Sequence, residues 1–398
     1  MSDLQRLARL FGTPLYVYLA QTARRRYRDL RDCFTRPALV CYALKANSNR
    51  ALASVFAREG AGADIVSGGE LVRARRAGFA PGRIIFSGVG KTEEELAAGL
   101  RARVKAFNVE SSEEMDALAR SAARMRRVAP VSIRLNPDIN ARTHPHITTG
   151  RAENKFGIET AHAFALYRRA SRDARLRVVG IQCHIGSQIT SLAPYKTAAA
   201  AVAKMALRLR EGGVPLAFAD LGGGLGISYR NETALKPRAF VRTIEAAFAA
   251  LPELELVVEP GRYLVADAGL LLTRVLYRKR TSKRRFIIVD AAMTDLPRPA
   301  LYGAWHPVEV VSPRPGKKTL ADIVGPVCES GDFLARRRLM PPVEAGDLLA
   351  VLKAGAYGFA MSSQYNSRPR AAEVIVEGRR ARLARRRETY GDVMRGEV

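Results

Sequence analysis

Three side chains with chemically useful groups each follow or end an apolar segment of the chain: Lys45, His184 and Glu259. A lysine amine that is partly removed from water has a lowered pKa and attacks carbonyl carbons. A carboxylate in such a place can pair with a protonated ring nitrogen, and an imidazole can stack on a flat ring. Taken singly, each has a plainer interpretation: a lysine that reaches solvent, an ion-paired glutamate and a core histidine.

A glycine-rich segment supplies a possible anion site. Gly222, Gly223 and Gly224 follow the apolar run 217–221, and the backbone N–H groups of such glycines can approach a phosphate closely. A glycine-rich loop is by itself more often a tight turn. At the carboxyl end of a barrel strand, next to a loop that carries Gly261, it coincides instead with the usual phosphate site of (β/α)8 barrels.

The elements that would position these groups alternate between apolar strands and amphipathic helices. The predicted strands are 38–43, 63–66, 83–87, 104–109, 131–135, 178–184, 217–221 and 254–259. Eight such strands over about 230 residues predict a (β/α)8 TIM barrel, with a doubly wound open sheet as the second choice. The active face of a barrel lies at the carboxyl ends of its strands, and Lys45, Asp64, His184 and Glu259 are expected there.

The rest of the chain differs in character. Strand-like runs separated by turns rich in proline and glycine follow the barrel and predict an all-β domain, a sandwich or barrel. The segment 13–19 is also strand-like and is a candidate to pair with that domain. We therefore expect an α/β plus all-β protein, with a cofactor-binding barrel at 30–265 and a β domain built from 1–29 and 266–398.

Composition narrows the class of protein. The sequence has neither a membrane-spanning apolar run nor the apolar core of a signal peptide, and its four cysteines form no disulfide framework or C-x-x-C pair. A cytoplasmic protein without a metal site or a membrane partner is predicted. The formal charge is +27, but the densest arginine runs (24–26, 336–338 and 385–387) have no interleaved aromatic residues. Solvated basic faces are therefore favoured, and no specific nucleic acid is expected.

Together these parts match one cofactor. Pyridoxal 5'-phosphate has an aldehyde for the nucleophilic lysine and a phosphate for the glycine loop. Its pyridine nitrogen suits the carboxylate, and its flat face suits the imidazole. Ordered motifs are Y-A-L-K-A-N at 42–47, G-A-D-I-V-S-G-G-E-L at 62–71, N-K-F-G at 154–157, H-I-G-S-Q at 184–188, E-P-G-R at 259–262, C-E-S at 328–330 and G-A-Y at 355–357. With these motifs the chain resembles the diaminopimelate decarboxylase family, within the alanine-racemase-like (fold type III) pyridoxal-phosphate enzymes.

The resemblance implies a role for each matching residue. Lys45 would bind the cofactor covalently, and Cys328 would donate a proton to the substrate carbon. The cofactor contacts would come from Lys45, Asp64, His184, Ser187, Gly222, Gly223, Gly224, Glu259, Gly261, Arg262 and Tyr357. The substrate contacts would come from Arg262, Arg298, Tyr302, Glu329 and Tyr357. The resemblance also implies a homodimer with shared active sites, in which the Cys328 segment reaches the partner subunit.

The implied reaction is decarboxylation of meso-2,6-diaminopimelate to L-lysine, the last step of lysine biosynthesis. A decarboxylase of ornithine, lysine or a related amino acid is the alternative. Arg298 suits a substrate with a remote carboxylate, and Glu329 stands where ornithine enzymes usually carry aspartate. Racemases and cofactor carriers of this fold lack the 328–330 segment. A basic nucleic-acid-binding protein on a degenerate barrel is expected to have lost Lys45, Glu259 or Cys328, and all three are present.

Overall fold

The computed structural model describes residues 3–139 and 155–398. The chain divides into two compact units. The barrel unit consists of Arg24–Ile227 and Thr233–Leu264, and the β unit consists of Met1–Ala23, Ser228–Glu232 and Val265–Val398. No helix in the described part of the chain is long and apolar enough to cross a membrane.

The regular elements are numbered in chain order. The strands are β1 (Leu15–Leu19), β2 (Ala38–Ala43), β3 (Gly62–Ile65), β4 (Ile84–Phe86), β5 (Ala106–Val109), β6 (Ala129–Asn136), β7 (Ile158–Glu159), β8 (Leu176–Cys183), β9 (Phe218–Asp220), β10 (Glu255–Val258), β11 (Gly269–Arg280), β12 (Arg285–Val289), β13 (Val308–Val310), β14 (Thr319–Val324), β15 (Phe333–Met340), β16 (Leu348–Val351), β17 (Ala372–Glu377) and β18 (Arg380–Arg385). The helices are α1 (Asp3–Phe11), α2 (Ala20–Arg31), α3 (Arg50–Arg58), α4 (Gly68–Ala77), α5 (Glu93–Ala102), α6 (Ser112–Arg124), α7 (Thr160–Arg172), α8 (Leu192–Glu211), α9 (Pro237–Ala247), α10 (Arg262–Val265), α11 (Arg298–Tyr302) and α12 (Tyr390–Val393).

The barrel unit is a closed parallel barrel. Its strands follow the order β2, β3, β4, β5, β6, β8, β9 and β10, and β10 pairs with β2 to close the ring. The predicted (β/α)8 barrel is thus confirmed, and closure excludes the doubly wound open sheet. Inside the barrel, Gly180 leaves room for the aromatic side chain of Phe218, since a Cβ at residue 180 would lie 2.3 Å from it. The barrel is therefore a packed core and not a pore.

Capping residues determine where several barrel helices begin. Thr92 accepts a hydrogen bond from the Glu95 N–H, and the Glu95 carboxylate accepts one from the Thr92 N–H. This reciprocal pair satisfies two backbone donors at the start of α5. The Ser67 and Ser111 hydroxyls accept hydrogen bonds from the backbone N–H of the third residue of α4 and α6. These three helices consequently start directly after the loops that follow β3, β4 and β5.

The β unit is mostly sheet. Its strands follow the order β15, β14, β12, β11, β1, β17 and β18, with β16 paired to β11 and β13. Strand β1 lies between β11 and β17, so the expectation that segment 13–19 pairs with this unit is confirmed. The core of the β unit contains apolar side chains of β1 and of its two neighbouring strands, including Leu15, Val17, Leu272 and Val374. Helix α1 and strand β15 were not predicted from the sequence.

Candidate active site

Lys45 lies on a single 3-10 turn, Leu44–Ala46, immediately after β2. Its Nζ atom forms an ion pair with the Oδ2 atom of Asp64, near the end of the neighbouring strand β3. The Lys45 side chain keeps 34% of its surface exposed, whereas that of Asp64 is fully buried. The lysine amine therefore stands at the mouth of the barrel, and a buried carboxylate holds it there.

Glu259 follows β10 and is buried inside the same end of the barrel. Its Oε2 atom accepts a hydrogen bond of 3.3 Å from the Nε2 atom of Gln182, on β8. The other oxygen, Oε1, has no hydrogen-bond partner among the described residues. The Glu259 N–H donates to the Gly222 carbonyl at 2.8 Å, which ties the end of β10 to the glycine loop after β9. A buried carboxylate oxygen thus remains without a donor.

Asp220 is a second buried carboxyl beside Glu259. Its Oδ1 atom accepts a hydrogen bond of 2.9 Å from the Gly222 N–H, while Oδ2 has no partner among the described residues. Burial, with a smaller contribution from Asp64, raises the pKa of Asp220 to about 7. Burial and the neighbouring Asp220 and Asp64 carboxyls raise the pKa of Glu259 well above its usual value. Because the two carboxyls are buried neighbours, one proton held by the pair removes the repulsion between two buried negative charges.

His184 comes directly after β8. Its Nδ1 atom accepts a hydrogen bond of 3.0 Å from the Gly223 N–H. Burial, and then the positive charges of Arg134 and Lys45, lower the pKa of His184 well below its usual value. The imidazole is therefore neutral, and because Nδ1 is an acceptor, its proton lies on Nε2.

The glycine loop after β9 fits only residues without side chains. A Cβ at Gly222 would lie 2.5 Å from the Cys183 carbonyl oxygen, and one at Gly223 would lie 2.3 Å from the Glu259 carbonyl oxygen. Gly222 and Gly224 also have positive φ angles of 66° and 96°. These features bring the backbone of the loop against the ends of β8 and β10, as a phosphate cradle requires.

Two further predicted contacts lie on the same barrel end. The Nη2 atom of Arg262 donates to the Ser187 hydroxyl at 3.0 Å, which joins the loop after β10 to the loop after β8. A Cβ at Gly261 would lie 2.9 Å from the Cβ of Ala46, next to Lys45. The structure thus brings together all the predicted barrel residues at the carboxyl ends of β2, β3, β8, β9 and β10. Asn154 of the N-K-F-G motif lies outside the described residues.

The predicted substrate residues belong to the β unit. Arg298 begins helix α11 and is only 7% exposed, with its guanidinium carbon 4.7 Å from the centre of the Tyr229 ring. Its Nη1 atom is 2.7 Å from Nε2 of His306, whose Nδ1 is 2.9 Å from the Leu352 carbonyl oxygen. An arginine cannot accept, so Nε2 of His306 accepts and its Nδ1–H donates to the carbonyl. Tyr302 ends the same helix.

Cys328 and Glu329 are exposed on the loop between β14 and β15. The loop is held at both ends. The Asp332 carboxylate accepts hydrogen bonds of 2.7 Å from the Val327 N–H and the Met293 N–H, and the Cys328 N–H donates to Asn366 Oδ1 at 3.0 Å. The loop therefore presents an accessible thiol on a fixed backbone. Tyr357 is partly buried and has a positive φ of 56°.

Sequence reasoning missed three polar residues at these sites. Asp220 and Gln182 lie on barrel strands beside Glu259, and His306 orients Arg298 in the β unit. A polar side chain in a short apolar strand was the available signal for the first two. His306 follows Arg298 by only eight residues, but no sequence pattern relates the two side chains.

The barrel residues fit pyridoxal 5'-phosphate on two structural grounds. The unpartnered Glu259 Oε1 can accept the N–H of a protonated pyridine ring. The glycine loop leaves backbone space that any Cβ would fill, and it is joined by the Arg262 guanidinium and the Ser187 hydroxyl at the same face. An amine for the aldehyde, an acceptor for the ring nitrogen and donors for a phosphate are all present.

Comparison with known proteins agrees with this fit. Residues 20–266 match the family model of the pyridoxal-dependent decarboxylase pyridoxal-binding domain. Diaminopimelate decarboxylase of Pseudomonas aeruginosa is 50% identical over 99% of this chain and 95% of that protein. The Aquifex aeolicus diaminopimelate decarboxylase is 46% identical over 98% and 92%. The Helicobacter pylori enzyme, solved in complex with L-lysine, superimposes with a TM-score of 0.96 at 42% identity, over 99% of this chain and 98% of that one.

A lysine/ornithine decarboxylase from Vibrio vulnificus shares the fold at 22% identity and a TM-score of 0.83. The two diaminopimelate decarboxylases named above match at 50% and 46% identity over at least 92% of both chains. The resemblance drawn from the motifs is thereby confirmed: the chain belongs to the diaminopimelate decarboxylase family of pyridoxal-dependent decarboxylases.

Proposed function

We propose that this protein decarboxylates meso-2,6-diaminopimelate to L-lysine with pyridoxal 5'-phosphate. The observation that carries the proposal is the buried Glu259 carboxyl, with one oxygen that lacks a donor, at the same end of the barrel as the Lys45 amine. When bound, the cofactor supplies an aldehyde carbon for an amine and a pyridinium ring that withdraws electrons from the reacting carbon. The protein residues supply position, charge and protons.

The barrel residues have separate tasks. Lys45 provides the amine that binds the cofactor, and Asp64 holds that amine in place. Glu259 would accept the N–H of the cofactor ring and, as a buried carboxylate, would favour a protonated ring nitrogen. Neutral His184 would contact the ring without adding a charge. Gly222 to Gly224, Gly261, Ser187 and Arg262 would bind the phosphate.

The β unit supplies the substrate groups. Arg298 binds the carboxylate of diaminopimelate that does not react, since a guanidinium binds carboxylates with two parallel hydrogen bonds. His306 restricts the orientation of Arg298 through the 2.7 Å contact. Glu329 binds the distal amino group, and Arg262, Tyr302 and Tyr357 complete the contacts. Cys328 returns a proton to the substrate carbon after carbon dioxide has left.

This assignment requires two subunits. We propose a homodimer in which Cys328 and Glu329 of one subunit reach the active site of its partner. Residues 30–265 then form the cofactor-binding domain, and residues 1–29 with 266–398 supply the dimer interface and substrate groups. We also propose that the enzyme acts in the cytoplasm on a small amino acid, without a specific nucleic-acid or membrane partner.

The reaction is tested with purified protein and pyridoxal 5'-phosphate. The wild type should show a shifted cofactor absorbance band and release carbon dioxide from diaminopimelate, and not from ornithine or lysine. Lys45→Ala should lose both the band and the release. Lys196→Ala, on the exposed side of α8, should keep both. Release from ornithine but not from diaminopimelate would replace the proposed substrate with the alternative.

Shared active sites are tested by mixing two inactive variants. Lys45→Ala and Cys328→Ala are unfolded together, refolded together and assayed. A mixed dimer would hold one site with both substitutions and one site with neither. Random pairing of equal amounts should therefore restore about a quarter of the wild-type rate. If the mixture stays as inactive as its components, Cys328 does not serve the partner's site.

A further inference from the structure

The β unit carries a concentrated group of positive charges that the proposed reaction does not use. Two clefts of about 630 and 400 Å³ lie at the turn of the β11–β12 hairpin, beside the start of β14. The cations that line them are Arg278, Lys279, Arg280, Lys283, Arg284, Arg285, Lys317, Lys318 and Arg337, which we call the cleft cations. All of them are exposed.

Almost no acidic charge balances this group. Among the residues that the structure describes, Asp322 is the one acidic residue that lines either cleft. Its carboxylate accepts from Arg284 Nη1 at 3.2 Å and from the Arg337 N–H at 2.7 Å, so it is already engaged. The other cleft cations form no ion pair with an acidic residue in residues 3–139 and 155–398. The clefts therefore present a strong local excess of positive charge.

Part of this arrangement is unfavourable for the stability of the fold. Arg280 and Arg285 are direct cross-strand partners in the antiparallel β11–β12 pair. Like charges directly opposite each other destabilise a sheet, and the surrounding cations add to the repulsion. An external anion would convert this cost into attraction.

The hairpin turn presents its cations on an ordered backbone. The Thr281 N–H donates to the Arg284 carbonyl at 2.9 Å. The Thr281 hydroxyl accepts from the Lys283 N–H at 3.3 Å and from the Arg284 N–H at 3.0 Å. Because the turn is closed by its own hydrogen bonds, a ligand would not have to order it.

An apolar pair lies within the same region. Leu320 and Leu339 are register partners on β14 and β15, line the larger cleft, and are 52% and 61% exposed. Their side chains offer a surface for bases or sugars next to the cations that would hold phosphates. A single phosphate would be too small to engage two clefts, and a flat bilayer cannot enter a concave one.

We propose that the two clefts bind single-stranded nucleic acid through its phosphate backbone, independently of base sequence. The cations neutralise successive phosphates and release their counterions, and the leucine pair contacts the unpaired bases. This surface is separate from the catalytic proposal, and it differs from the solvated basic faces that the composition favours.

The test uses the full-length protein loaded with cofactor and a fluorescein-labelled oligouridylate of roughly 20 nucleotides, with binding followed by anisotropy. A cleft variant carries Arg280→Gln, Lys283→Gln, Arg285→Gln, Lys317→Gln and Arg337→Gln. A control variant removes the same charge from the exposed sides of α7, α8 and α9 by Arg168→Gln, Arg172→Gln, Lys196→Gln, Lys204→Gln and Arg242→Gln. Thermal unfolding and carbon dioxide release confirm that both remain folded.

The wild type should bind with an affinity that falls steeply between about 50 and 200 mM salt. The cleft variant should lose affinity by on the order of a hundredfold and show a salt slope shallower by roughly three, since about 0.7 of a counterion is released per phosphate of a single strand. The control variant should stay within roughly threefold of the wild type.

Several outcomes would overturn the proposal. Equal losses in both variants would assign binding to net charge and not to the clefts. Binding that is absent in the wild type at about 100 mM salt would remove the site. Tighter binding of duplex DNA than of oligouridylate would contradict the single-stranded ligand. Binding to phosphatidylserine vesicles without binding to oligouridylate would identify a membrane surface instead.

Discussion

The barrel unit and the β unit each contain a cluster of charged groups of one sign, and the two clusters differ in their exposure to solvent. In the barrel, Asp64, Asp220 and Glu259 are at most 3% exposed, and Lys45 forms an ion pair with Asp64. In the β unit, the cleft cations all face solvent, and Asp322 lies among them. One group is acidic and buried, and the other is basic and exposed.

The two clusters respond differently to their own charge because only the exposed cations are in contact with water. Burial raises the pKa of Asp220 to about 7 and that of Glu259 well above its usual value, so the buried pair takes up a proton in place of bearing two charges. Exposed cations keep their charges, because solvent and salt screen their repulsion. A buried cluster is thus selective for one group that brings the right proton, while an exposed cluster attracts a phosphate backbone without regard to base sequence.

The largest effect should come from the buried side. Glu259→Gln removes the charged acceptor for the ring N–H, so the rate of diaminopimelate decarboxylation should fall by on the order of a hundred- to a thousandfold, the usual size for removal of one preorganised electrostatic contact. Cofactor binding, followed by absorbance, should weaken as well. Glu255→Gln serves as the control, because Glu255 begins β10, the strand that Glu259 follows, and pairs with Lys105. A Glu259→Gln enzyme with more than half the wild-type rate would contradict the assigned role.

A second prediction concerns the pH dependence of the apoprotein. The pKa of Asp220 is raised from 3.8 to about 7, so the folded state binds more protons than the unfolded chain between these values. The stability from this group is complete below 3.8 and is lost as the pH rises through 7. Asp220→Asn removes that loss. The free energy of unfolding of Asp220→Asn minus that of the wild type should therefore be roughly 1–4 kcal/mol larger at about pH 8 than at about pH 4.

Urea unfolding at the two pH values measures this difference. Asp116→Asn is the matched control, because Asp116 is exposed and pairs with Arg169 on the surface. The difference in the free energy of unfolding between Asp116→Asn and the wild type should be nearly the same at both pH values. Parallel curves for the wild type and Asp220→Asn at both pH values would show that Asp220 is not the group that holds the proton.

The smallest effect should appear on the exposed side. Arg280→Glu replaces a like-charged cross-strand pair with an opposite one, so the free energy of unfolding should rise by roughly 0.2–1 kcal/mol at low salt. The gain should shrink at about 1 M salt, where charges are screened within roughly 3 Å. A gain that is independent of salt, or a loss, would mean that the two arginines do not repel each other across the hairpin.

The sequence predicted the architecture well because the barrel is a local repeat. All eight predicted barrel strands are present in the predicted order, since buried parallel strands appear as separate apolar runs. The strand β15 was missed because the run Arg336 to Arg338 interrupts its apolar pattern. Helix α1 was missed because it is a short amphipathic segment at the start of the chain, which packs through Leu7 and Ala8.

The sites were predictable to different depths. Residues at strand ends, such as Lys45 and Glu259, follow from the barrel rule and family motifs. Asp220 was overlooked because its importance depends on a neighbour on another strand, and no local spacing reports that contact. The cleft cations were overlooked for the same reason, because residues near 280, 317 and 337 become neighbours only after the sheet forms.

The position of β1 also has a consequence for how this protein is made. β1 leaves the ribosome well before its partners β11 and β17, which pair with it through residues 269–272 and 372–376. At synthesis rates of about 5–20 residues per second, the first partner follows roughly 10–50 seconds later. Throughout that interval the nascent chain carries an apolar strand with no native partner, while the segments of the barrel are completed behind it. Termination before residue 372 would leave the strand with one open edge, a form that chaperones and proteases would be expected to recognise.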